Sequence, residues 1–196
     1  MENSALLVLH YQNSVAHPDG VWGRNLYTQI SKNNTYSNAS AVLAQARSIV
    51  MPVIYVNVAC RPGAPELPDA LFGIVADVKN TEDCLSGSWG ARPIDELAPE
   101  NGDIQIDNFN SDAFQGTALD QILRARNINT VYLIGQVIEH VVGTTMKRAA
   151  NSGYAAVLLE DCVGGYSDAT RDAMLDILSG YGRILTSKQF KDLAHP

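Results

Sequence analysis

Long apolar runs are missing from this 196-residue chain. The longest, such as Ala5 to Leu9 and Ala155 to Leu159, fall far short of the ~20 residues that span a bilayer, and no basic stretch precedes them. No membrane partner is expected, and a soluble, unexported, cytoplasmic protein is. Positive charge is scarce as well: 14 Lys and Arg against 21 Asp and Glu leave a net charge of −7, so a phosphate backbone would be repelled and no nucleic-acid partner is expected. Cysteine is limited to Cys60, Cys84 and Cys162, neither a zinc spacing nor an even disulfide framework, which suits a reducing compartment. Repeats and low-complexity tracts are absent. What remains is 46% hydrophobic and 18% charged residues, the mixture of one globular domain over residues 1–196 with its own core.

Short, both-face apolar runs supply the fold class. Ser4 to Tyr11, Val53 to Val58, Ile104 to Asp107, Thr130 to Ile134, Ala155 to Glu160 and Arg183 to Thr186 each read as a strand buried on two sides. Helical spacing lies between them. Ser37 or Asn38 is placed to cap a helix carrying Ala39, Val42, Leu43, Ala46, Ile49 and Val50, with Pro52 enforcing its stop. Further helices are predicted over Thr117 to Arg126, Glu139 to Ser152 and about Asp168 to Tyr181. Residues 12–36 read as a long loop with about one helical turn, and the Pro- and Gly-rich stretch 59–101 as a loop-rich insertion wrapping one end of the sheet. Strict alternation predicts an α/β fold: a single Rossmann-like domain with a doubly wound, six-stranded parallel sheet, order 3-2-1-4-5-6, and helices on both faces.

In such sheets ligands bind beyond the carboxyl ends of the strands, where the strand order reverses. That rule selects His10 to Asn13, Ala59 to Arg61, Asn108 to Phe114 and Gly135 to Val141. His10 is a candidate acid or base, since an unperturbed imidazole titrates near 6.5; a hydrogen-bonded packing histidine is the structural alternative. Glu139 and His140 add a second titratable pair, although neighbours on a helix diverge by about 100°. Tyr11, Trp89 and Phe114 could rim a planar ligand, or belong to the core.

Five segments carry a resemblance: Ala5-Leu-Leu-Val-Leu-His-Tyr-Gln-Asn13, Trp89 to Pro99, Asn101-Gly-Asp-Ile104, Asp112 to Leu119, and Gly135 to Tyr154. In this order and spacing the chain resembles the isochorismatase-like hydrolases over roughly Ala5 to Ser167. The resemblance implies a homo-oligomer, dimer or tetramer, and an active site whose amide-hydrolysing members use an Asp after strand one, a Lys after strand three and a Cys opening the helix after strand four. Those positions fall on His10, Asn108 and Val141. All three differ. A valine carries no nucleophile, so a thioester route cannot run at Val141; Cys60, beside Arg61, is the remaining thiol candidate on the correct edge.

The resemblance further implies that the Gly135 to Glu139 loop, with Val137 and Ile138, holds a cis peptide and offers backbone N–H groups to an oxyanion. Metal-dependent members carry Asp and His after strand two, and Asn57 to Glu66 contains neither; no metal and no cofactor are expected. The expected function is a Cys-independent hydrolase or lyase on a small carbonyl-containing or enol-ether metabolite. His10, Asn108, His140 and Glu139 are its catalytic candidates, and Tyr11, Gln12, Trp89, Phe114, Val137, Ile138 and Val141 its substrate contacts. The alternative is an inactive relative that binds a small molecule or serves as an assembly subunit.

Overall fold

The computed structural model describes residues 1–69 and 72–194. Six parallel strands, β1 (Ser4–Leu9), β2 (Val53–Val58), β3 (Ile104–Asn108), β4 (Thr130–Gln136), β5 (Ala155–Gly164) and β6 (Arg183–Leu185), form one sheet in the order β3-β2-β1-β4-β5-β6. The predicted order therefore holds. β1 lies at the centre and every residue in it is buried. Ala5, Leu7 and Leu9 enter one core and Leu6 and Val8 the other, because successive strand side chains point to opposite faces. Each fully buried leucine there contributes roughly 1.5–3 kcal/mol of apolar transfer.

The first core is closed by α5 (Leu119–Ala125), α6 (Gly143–Asn151) and α7 (Asp168–Ser179), and the second by α3 (Thr35–Ser48) and α8 (Ser187–Ala194). Helices thus cover both faces. The predicted loop over residues 12–36 instead holds a short turn, α1 (Asn13–Ala16), and ten residues of α2 (Gly23–Lys32). Leu26 and Ile30, one turn apart, pack on Val15 and Val137. Two apolar residues are too few to mark a helix locally, and tertiary contact decides it. The insertion holds a further helix, α4 (Gly73–Thr81), whose Val75 and Val78 cover a small cluster around Val58, Cys60 and Cys84.

Two boundaries moved for identifiable reasons. Neither Ser37 nor Asn38 caps α3, which starts after a left-handed Asn34; the Asn38 side chain donates to the Asp161 carbonyl at 3.1 Å instead. The helix ends at Ser48, before Pro52 can act, through a left-handed Val50 (φ 57°) and a bond from Met51 N–H back to the Ala46 carbonyl. The predicted helix from Glu139 to Ser152 is broken: a π-helical turn, Ile138–Val142, bent at His140, precedes α6. Where β4 leaves the sheet, Gly135 has φ 148°, and a Cβ there would lie 2.1 Å from the Leu9 carbonyl oxygen. Only glycine admits that approach of β1 and β4, which is where the strand order reverses.

Candidate functional site

A cavity of about 60 Å³ opens at this reversal, beyond the carboxyl ends of β1, β2 and β4 and beneath α2 and α4. Its walls are largely apolar, with Val58, Val137 and Val141 below and Leu26, Ile74 and Val78 above. Polar groups come from His10, Asn110, Ser111, Gln136, His140 and Tyr166. Among the described lining residues there is no Asp, Glu, Lys or Arg.

His10 follows β1 in a left-handed conformation (φ 51°) that turns its ring toward β3. Its Nε2 lies 3.1 Å from Asn108 Oδ1. Asn108 Nδ2 donates to the Asn110 carbonyl at 2.7 Å. A carbonyl can only accept, so the Asn108 amide is oriented with its oxygen toward His10, and Nε2 must carry the proton. Nδ1 then keeps its lone pair and has no hydrogen-bond partner among the described residues. Burial lowers the His10 pKa to about 4, against the raising effect of the Asn108 bond and with a smaller lowering contribution from His140. The residue is a neutral base at pH 7, not the acid that an unperturbed imidazole allows.

The Val141 side chain sits in the wall of the same cavity. His10, Asn108 and Val141, distant in sequence, are therefore brought together, with His140 at the rim. His140 Nε2 lies 2.8 Å from the Tyr166 hydroxyl. Glu139 turns away: its Oε1 accepts from Tyr166 N–H at 2.9 Å and from the Thr170 hydroxyl at 2.6 Å, tying the loop after β5 to the π-helical turn. The Gln136–Val137 peptide is cis. Val137 lines the cavity, while Ile138 is buried in the first core.

Other expected contacts lie elsewhere. Tyr11 is fully buried in the second core and donates its hydroxyl to the Cys162 carbonyl at 2.5 Å. Gln12 is a strand clip: its amide donates to the Val58 and Ala91 carbonyls at 2.7 and 2.8 Å, and its oxygen accepts from Val58 N–H at 2.7 Å. Phe114 packs on Tyr154 in the first core. Trp89 is part-exposed against His17, away from the cavity. Tyr11, Gln12 and Phe114 lie close in sequence to strand ends and Trp89 lies in the insertion, but side-chain direction carries all four away from the cavity.

The thiols are equally removed from nucleophilic chemistry. Arg61 spends its guanidinium on Glu66, and burial with the Glu66 and Asp107 charges raises the Cys60 pKa. Cys84 does line the cavity, but burial pushes its thiol up to about 12, against a smaller lowering influence of the Ser14 hydroxyl. Cys162 is also driven upward, first by burial. Among the described residues no three His, Cys, Asp or Glu side chains gather as a metal set, and no helix is long and apolar enough to cross a membrane. Gln136 was not anticipated: its fully buried side chain lies on the cavity wall with neither amide atom hydrogen-bonded among the described residues. Its signals in the sequence are its place within the strand-end segment Gly135 to Val141 and a polar side chain closing an apolar strand run.

Comparison with known proteins agrees with this architecture. The chain is 28% identical, over 97% of its length and 85% of the relative's, to the ureidoacrylate amidohydrolase RutB of Caulobacter segnis. The solved N-carbamoylsarcosine amidase of Thermoplasma acidophilum superposes with a TM-score of 0.76 at 28% identity, covering 94% of this chain and 96% of that one. A cysteine hydrolase of Pseudomonas syringae pv. phaseolicola shares the fold with a TM-score of 0.84 at 20% identity, covering 98% and 94%. The family description "Isochorismatase domain" matches residues 4–189. With that match across nearly the whole chain, and the sheet order and cavity described above, the chain belongs to the isochorismatase family of hydrolase-like proteins.

Proposed function

We propose that this chain is a Cys-independent hydrolase or lyase acting on a small carbonyl-containing or enol-ether molecule, with the neutral imidazole of His10 as its proton-transfer group. The observation that carries the proposal is the His10–Asn108 pair, which locks Nε2–H and leaves the Nδ1 lone pair unspent on a cavity wall. An unprotonated imidazole accepts a proton first, so His10 suits activation of water for attack on a carbonyl better than protonation of an enol ether. Val141 offers no covalent route, and water is the nucleophile. Asn108 is the positioning residue that selects the tautomer, and the cis-peptide loop flanks the reacting carbonyl.

The test is a screen of small esters, amides and enol ethers, followed by His10→Gln and His10→Ala on any hit. Removal of a general base lowers kcat by roughly 10²–10⁴-fold, and the wild-type rate falls on an acid limb with an apparent pKa near 4. Unchanged kcat in both folded variants would sink the assignment. A second reading, an inactive binder or assembly subunit, is favoured by the lack of any Asp, Glu, Lys or Arg on the described cavity walls. Saturable ligand binding with no turnover across the screen selects it.

A further inference from the structure

Two apolar clusters meet at the cavity from different elements. Val58 belongs to the cluster under α4, and Val15 and Val137 to the packing beneath α2. These three valines line the cavity and keep 7, 8 and 6% of their surface accessible. Trp22 packs on both clusters and lines the cavity as well. α4 covers the gap incompletely: of its nine residues only Ala76 is buried, while Ile74 and Val78 line the cavity half-buried. Apolar surface that converges from β2, α1 and α4 and stays partly accessible is stabilised when a further apolar body covers it. The room is small, about 60 Å³. A cavity on the order of 150 Å³ lodges a six-carbon ring, so an alkyl group of about three carbons fits here.

We propose that this cavity takes the short branched alkyl arm, of isopropyl size, of an uncharged substrate, held between Val58 and Val137 on one side and Ile74 and Val78 on the other. The proposal rests on the assignment of the cavity as the ligand site, and it names the arm beside the reacting bond. Charged arms are rejected by the same walls. No Asp, Glu, Lys or Arg lines the cavity among the described residues, and an ion stripped of water there finds no counter-charge. The polar end of the substrate lies toward His10, whose unspent Nδ1 accepts the O–H of a water or of an alcohol. Val78, on the half-buried helix, is the residue that sets the size of the arm.

The experiment is titration of methyl-labelled protein with ethanol, 2-methyl-1-propanol and 1,2-propanediol, followed by NMR of the valine and isoleucine methyls. The diol has the outline of the branched alcohol with one methyl replaced by a hydroxyl. Each buried methylene is worth about fourfold in affinity, so 2-methyl-1-propanol binds at least about tenfold more tightly than ethanol or the diol. The shifts concentrate on Val58, Ile74, Val78 and Val137. Val78→Phe fills the space and weakens the branched alcohol by about tenfold or more. Val78→Thr keeps the shape but puts a hydroxyl on the wall, and narrows the gap between branched alcohol and diol by about threefold or more; this comparison decides if Val78→Phe fails to fold. The proposal is overturned by equal binding of the three probes, by no saturable binding of 2-methyl-1-propanol, or by shifts spread over exposed methyls such as Val50 and Ile177. Full affinity in Val78→Phe or an unchanged gap in Val78→Thr also overturns it. Branched-alkyl selectivity in a protein that turns over no ester, amide or enol ether would remove the His10 chemistry and leave this proposal standing. His10-dependent hydrolysis without that selectivity would do the reverse.

Discussion

His10 Nε2 and Asn108 Oδ1 meet across 3.1 Å, joining the ends of β1 and β3 over the end of β2, which separates them in the sheet. The bond sets both the tautomer and the charge state of the imidazole. Replacing the neutral acceptor by a carboxylate, Asn108→Asp, places an opposite charge beside the ring and favours its protonated form. The His10 titration midpoint, followed by NMR of the ring protons, moves upward from about 4; a midpoint that stays put would show that the two side chains are not in contact.

Stability should depend on pH through the same residue. The folded pKa of about 4 lies below the unfolded 6.5, so between these values the unfolded chain binds the extra proton. His10 therefore imposes no penalty above about pH 6.5 and an increasing one as pH falls through that window, reaching about 3 kcal/mol below pH 4. Denaturant unfolding of wild type and His10→Gln at about pH 7 and pH 4.5 checks the sign: wild type loses about 2–3 kcal/mol more than the variant. Parallel losses would contradict the burial of a neutral imidazole.

Thiol reagents should find little to attack. With Cys84 near 12 and Cys60 and Cys162 also raised by burial, the thiolate fraction at about pH 8 is far below that of an ordinary cysteine. Labelling by a disulfide reagent is expected to be slower in the folded protein than in guanidinium chloride by about 10² or more. One fast-reacting thiol under native conditions would reopen the case for covalent chemistry.

Val50 is 88% exposed and left-handed, with φ 57°, at the position after a helix that glycine usually takes. A β-branched residue is strained there. Val50→Gly should raise stability by about 1 kcal/mol after allowing for the greater backbone freedom of glycine when unfolded. Thermal and denaturant melts of the two proteins decide it, and a destabilised variant would mean that the Val50 side chain makes contacts its exposure does not show.

Much of the fold was already legible because it rests on burial patterns that are local. Ala5 to Leu9 is apolar at every position, and only a strand covered on both faces buries such a run, so the parallel sheet and its helices follow from the alternation of segments. The order 3-2-1-4-5-6 is the ordinary one for a Rossmann-like sheet, and the resemblance of five motifs then supplied the positions of His10, Asn108 and Val141. Helices α2, α4 and α8 were not legible. Their few apolar residues, such as Leu26 and Ile30 or Val75 and Val78, become an apolar face only once a partner surface exists to receive them.

What only tertiary structure decided is direction. Tyr11, Gln12 and His10 are consecutive neighbours at one strand end, yet Tyr11 enters the second core, Gln12 clips β2 to the loop at Ala91, and His10 alone meets the cavity. Alternation along the strand, and then a left-handed turn at His10, send adjacent side chains to different places. The charge state of His10 belongs to the same class, because desolvation depends on what is packed around the ring and not on its identity. So does Gln136, whose residue type is written in the chain but whose lack of a partner exists only once every neighbouring donor and acceptor has found its own.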